Sequence, residues 1–132
     1  MSEPRLLFNP PGLHPAPWYS HAVIPLGSRL VLFAAQVALD RELKVVGAGD
    51  LAAQTRQAMA NLGVALKSIG GSWENLVRLA VLTTEPDGFE TIGRVIGECL
   101  GDVAPPARTF AGLTGFGHPE LLVAIEATAA LE

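Results

Sequence analysis

Two lysines, one cysteine and one tyrosine in 132 residues leave this chain poor in the side chains that most often carry chemistry. With Cys99 alone, no disulfide can close within the chain. Its place in a helical apolar pattern predicts a small packed residue rather than a reactive thiol. Charged residues make up only 17%, below the roughly 25% usual in soluble domains. The net charge of -4 comes with no run of Lys and Arg, so the electrostatic footprint of a nucleic-acid partner is missing and such a partner is disfavoured. No window reaches the roughly 18 apolar residues of a membrane span. The polar start Met1-Ser2-Glu3-Pro4 is not followed by the apolar stretch of a signal peptide. A soluble cytoplasmic protein without a membrane partner is therefore expected. His14, His21 and His118 have no zinc-like spacing, and no metal is predicted. The chain also lacks a Gly-x-Gly-x-x-Gly fingerprint, a phosphate loop and a Gly-x-Ser-x-Gly elbow, which leaves nucleotide and acyl-serine chemistry without support.

What is abundant is apolar: 49% of the residues. A chain of this length makes one domain, 1–132, with a sizeable core. So few charges would leave apolar surface showing on a monomer, and a homo-oligomer joined through a flat apolar face is the simplest remedy. Arg5 to Phe8 reads as a short edge strand before the loop signal Asn9-Pro10-Pro11-Gly12. Runs from Tyr19 to Pro25 and from Arg29 to Leu39, parted by Gly27-Ser28, predict a hairpin. The second of these, apolar on both faces, is expected inside the sheet. Asp50 is a good helix N-cap, and Met59, Leu62, Leu66 and Ile69 form one face of a helix ended by Gly70-Gly71. After a short turn capped by Ser72, Leu76 to Leu82 reads as a strand. Phe89, Ile92, Val95, Ile96 and Leu100 then form the stripe of a second helix. Pro105-Pro106 opens a further strand, and Glu120 to Leu131 is the last. This order predicts an α+β fold with both helices on one face of the sheet, so the other face needs a cover that only another subunit can supply.

Two charges stand inside apolar strand-like runs: Arg108 in Pro105-Pro106-Ala107-Arg108-Thr109-Phe110 and Glu126 in Leu121-Leu122-Val123-Ala124-Ile125-Glu126-Ala127. Buried charge costs several kcal/mol unless it is paired or awaits a charged ligand. Alternation sets Leu121, Val123, Ile125, Ala127 and Ala129 on one face and Leu122, Ala124, Glu126, Thr128 and Ala130 on the other. Glu126 thus turns away from the helices, solvated on a monomer but a candidate base if a neighbour covers it. A guanidinium held by the extended proline segment can grip a carboxylate in two-pronged fashion, at the mouth of a site or in a salt bridge between subunits.

Over nearly its whole length the chain resembles the RidA/YjgF family. The matching segments are Tyr19-Ser20-His21-Ala22-Val23, Ala35-Gln36-Val37 with Asp40, Val46-Gly47 with Gly49-Asp50, Gln54 to Leu62, Pro106-Ala107-Arg108-Thr109, and Ile125-Glu126-Ala127. The resemblance implies a chorismate-mutase-like mixed β-sheet with two α-helices packed on one face. It also implies a homotrimer with sites at subunit interfaces, and hydrolytic deamination of reactive enamines and 2-imino acids to 2-oxo acids and ammonia, without cofactor. By the same resemblance Arg108 holds the substrate carboxylate, Glu126 positions the attacking water and Tyr19 is the aromatic of the cleft. Such a cofactor-independent imine deaminase is a hydrolase whose ligands are small carboxylate-bearing imines, enamines or 2-oxo acids.

Three positions depart from the best-known imine deaminases. Phe110 stands where they carry cysteine, Gly93 where they carry a helical asparagine, and Ala34-Ala35-Gln36 where a serine precedes Gly-Gln. These substitutions imply a more apolar pocket and a bulkier imino acid. They also favour an alternative, a non-catalytic small-metabolite-binding or chaperone-like trimer, which the retained Arg108 and Glu126 disfavour. A third reading, ribonuclease, is opposed by the acidic balance and the lack of a basic run.

Overall fold

The computed structural model describes residues 4–132; the polar residues 1–3 on which the absence of a leader was argued lie outside the described residues. Strands β1 (Arg5–Phe8) and β2 (Ala22–Pro25) form an antiparallel ribbon of their own. The main sheet is made of β3 (Arg29–Val37), β4 (Leu76–Thr83), β5 (Ala107–Gly112) and β6 (Val123–Leu131), in the order β3-β6-β4-β5. It is mixed: β6 runs antiparallel to both neighbours, and β4 and β5 are parallel. Helices α1 (Leu51–Ser68) and α2 (Phe89–Leu100) cover one face. No helix of the described residues is long and apolar enough to cross a membrane.

Local chemistry sets the helix ends. The Asp50 carboxylate accepts the Ala53 amide at 3.0 Å, closing the first turn of α1. At the other end Gly70 takes a φ of 80° that favours glycine. Between helices and sheet lies one core, in which Met59, Leu62 and Leu66 of α1 and Ile92 and Ile96 of α2 meet Leu79 and Val81 of β4 and Val123 and Ile125 of β6. Each fully buried aliphatic side chain contributes roughly 1.5–3 kcal/mol. Cys99 packs against this core but is only half-buried, and desolvation raises its thiol pKa.

Two expectations fail. The segment after Tyr19 does not form a hairpin with β3. Gly27 lies flat on the backbone of Leu131, where a Cβ would stand 2.4 Å from the Leu131 carbonyl oxygen, and the chain turns away so that β1 pairs with β2 instead. Nor is β3 interior; it is an edge strand of the sheet. Its residues Val31 and Phe33 pack on the core, while Leu30 and Leu32 point the other way and stay 57% and 78% exposed. Apolarity on both faces marks a strand whose second face is to be covered, and within one chain only the helix face is.

Candidate functional site

Arg108 sits at the start of β5, opposite Leu79 of β4. Its side chain therefore shares the helix-facing side of the sheet with the fully buried Leu79. The loop before β2 is stitched to the approach to β5. The Ser20 amide donates to the Pro106 carbonyl at 3.0 Å, and its hydroxyl donates to the Pro105 carbonyl at 2.6 Å. This brings Trp18 and Tyr19 against Arg108. Together with Phe89 and Phe110 they line a cleft of about 240 Å³. A smaller space of about 130 Å³ is also bordered by Trp18 and Arg108, together with Pro105 and the α2 residues Gly93, Gly97 and Leu100.

The guanidinium is held without compensation. Its Nε is buried and has no hydrogen-bond partner among the described residues, and none of their carboxylates forms an ion pair with it. Desolvation alone pulls its pKa down to about 10. At neutral pH it remains charged, and a carboxylate entering the cleft would supply what it lacks. Tyr19 Oη lies 3.3 Å from His14 Nε2, while His14 Nδ1 donates to the Pro15 carbonyl at 2.9 Å, so the tyrosine hydroxyl is the donor. His21 Nε2 donates to the His14 carbonyl at 2.8 Å, and the three rings pack edge to face.

Glu126 lies elsewhere. It pairs with Ala80, the residue after Leu79, and so projects from the sheet face opposite the helices. The same register holds Thr109 on that face, where its hydroxyl accepts from Arg78 Nη2 at 2.9 Å. On the β3 side, Phe33 pairs with Ala127 and Gln36 with Ile125, so Ala34 and Ala35 form a β-bulge across from Glu126. The carboxylate is thus ringed by small side chains and exposed in the single chain rather than buried.

The six residues singled out from sequence fall into two groups. Arg108, Tyr19, Phe110 and Gly93 gather on the helix side of the β5 edge, whereas Glu126 and Ala34 share the outer face. Sequence reasoning missed Trp18 and the place of Phe89, read only as part of a core stripe. Phe89 is 43% exposed at the mouth of the cleft. The adjacent aromatics Trp18-Tyr19 were the signal that could have found the first.

Comparison with known proteins places the arrangement. A solved structure from Yersinia pestis, a protein of unknown function of the conserved Rid family called YyfB, superposes with a TM-score of 0.92 at 37% identity, covering 97% of this chain and 99% of that one. The RutC family protein slr0709 of Synechocystis is 29% identical over 92 residues, 69% of each chain. The human 2-iminobutanoate/2-iminopropanoate deaminase is 30% identical over 77 residues, 58% of this chain and only about half (55%) of its own length. The family model described as endoribonuclease L-PSP matches residues 12–131, and the chain belongs to that family, the RidA/YjgF proteins.

Proposed function

We propose that this protein hydrolyses reactive enamines and 2-imino acids to 2-oxo acids and ammonia, as a homotrimer whose sites lie between subunits. The observation that carries the reading is the half-buried, uncompensated guanidinium of Arg108 at the wall of a cleft. It anchors the substrate carboxylate, leaving the adjacent imine carbon oriented for attack. Water adds to that carbon while Glu126 accepts its proton. The proton passes to the nitrogen to give a carbinolamine, whose hydroxyl proton follows by the same carboxylate as the C–N bond breaks, so that a 2-oxo acid and ammonia leave. An enamine first takes a proton on carbon and loses one from nitrogen to become the imine. The imine carbon is already electrophilic, so placement and proton transfer suffice and no cofactor is required.

Arg108 and Glu126 lie on opposite faces of one sheet, so each site takes Arg108 from one subunit and Glu126 from its neighbour. The apolar outer face with Leu30 and Leu32 is the surface through which subunits meet. Purified protein should speed ammonia release from imino acids generated by an amino-acid oxidase, and Arg108→Ala should abolish the effect. Unchanged release with wild-type protein, across imines of several sizes, would end the reading.

One observation favours a second reading, a carboxylate-binding protein without turnover. The cleft around Arg108 is lined by Trp18, Phe89 and Phe110, with Tyr19 as its other polar side chain. Binding of 2-oxo acids with no imine hydrolysis would decide for it. RNA cleavage is disfavoured by the net charge of -4 and the absence of a run of Lys and Arg in the sequence.

A further inference from the structure

Gly93 has a neighbour that explains it. A Cβ at that position would stand 2.9 Å from Cε3 of Trp18 and 3.2 Å from its Cδ2 and Cζ3, so any side chain there would displace the indole. The indole occupies the place a longer residue on α2 would take. Its ring lies 5.2 Å from Phe89 at an interplanar angle of 47°, and Phe89 meets Phe110 edge to face at 4.8 Å and 86°. Trp18 is the wall shared by the two spaces beside Arg108.

A carboxylate on Arg108 would place its substituent against these three rings. The Tyr19 hydroxyl, the other polar side-chain group of the cleft, is already engaged with His14. A methyl or ethyl group would leave most of the ring surface wet, whereas a flat aromatic group covers it and meets both ring faces and ring edges, the contacts aromatic pairs prefer. We infer that the site selects 2-imino and 2-oxo acids bearing an aromatic side chain, and that Trp18, seated on Gly93, is the residue that sets this preference. The inference rests on the carboxylate-anchoring half of the proposed function.

Calorimetric titration of the intact protein with 3-phenyl-2-oxopropanoate and with 2-oxobutanoate tests it. The aromatic acid should bind about tenfold more tightly or better. Trp18→Ala should cut the ratio of the two affinities to about threefold or less, with Trp18→Phe in between. Gly93→Asn should lower the ratio by pushing the indole aside, and adding Trp18→Ala to Gly93→Asn should lower it no further. Circular dichroism and sedimentation establish that each variant is folded and assembled. Equal affinities in the wild type, no binding of either acid, or a ratio unaltered by Trp18→Ala would overturn the inference. Aromatic selectivity without imine hydrolysis leaves it standing while the deaminase reading falls; hydrolysis of small imines with no aromatic preference does the reverse.

Discussion

Arg108 and Glu126 flank consecutive residues of the same strand: Arg108 stands beside Leu79 and Glu126 beside Ala80. One step along a strand is a change of face. The two charges are therefore separated by the thickness of the sheet, although each is a lateral neighbour of β4. A site that uses both has to be closed by a second chain.

This separation predicts complementation. Arg108→Ala and Glu126→Gln should each be inactive alone. Co-expressed in equal amounts, they should form mixed trimers in which about one site in four pairs an intact Arg108 with a neighbour's intact Glu126. Ammonia release should return to roughly a quarter of the wild-type rate. If both groups acted from the same chain, the mixture would stay inactive.

A second prediction concerns the cost of the guanidinium. Its pKa, lowered to about 10 by burial, means that the folded state binds this proton less tightly than the unfolded chain does. The destabilisation is fully present below pH 10 and relieved as pH rises from about 10 toward the usual arginine value. Arg108→Met should therefore raise the stability of the ligand-free protein by about 1–3 kcal/mol at pH 7, while removing 2-oxo acid binding. The gain should be the same at pH 7 and pH 9 in denaturant titrations of the two proteins. Carboxylate affinity of the wild type should be flat over that range and weaken above pH 10.

The outer face offers a third. Leu32 is 78% exposed on edge strand β3, and Leu32→Lys would set a charge in the proposed subunit contact. Sedimentation velocity should show a shift from trimer toward monomer, with loss of imine hydrolysis, because the halves of each site part. Far-ultraviolet circular dichroism should hold, since Leu32 lies outside the core shared with the helices. A trimer as tight as the wild type would exclude this face as the interface.

The helices, the last strand and its two faces were legible in the sequence because period and capping are local. Asp50 caps α1, as a short side-chain acceptor just before a helical period does, and Glu126 faces away from Val123, Ile125 and Ala127 as alternation dictates. Strand neighbours were not legible. Leu30-Val31-Leu32-Phe33 is apolar on both faces, and nothing local distinguishes a strand covered by its own chain from one to be covered by another. Arg108 and Glu126 could be picked out as charges in apolar runs, but their opposition needed the register of β4. Trp18 escaped because its role depends on the missing side chain at Gly93, 75 residues along the chain.

Gln54, which the sequence marks only as the first residue of a family-like segment, carries the last prediction. It is fully buried, and its amide nitrogen donates to the carbonyls of Gly47 at 3.2 Å and Glu120 at 2.8 Å, while its Oε1 accepts the Leu122 amide at 2.9 Å. One side chain on α1 thus satisfies backbone groups on both sides of the entry to β6, and fixes where that strand begins its alternation. Gln54→Leu conserves volume but leaves the three backbone groups without these partners in an apolar setting, each worth about 1–3 kcal/mol if water cannot reach it. Partial hydration reduces the sum, and a loss on the order of 3 kcal/mol is expected in urea titrations at fixed protein concentration. Gln54→Glu should restore only the bond from Leu122, and so fall between the leucine variant and the wild type at pH 7. Because Glu126 lies four residues beyond Leu122, the leucine variant should also lower the rate of imine hydrolysis while leaving 2-oxo acid binding at Arg108 intact, a split that a purely global loss of stability would not produce.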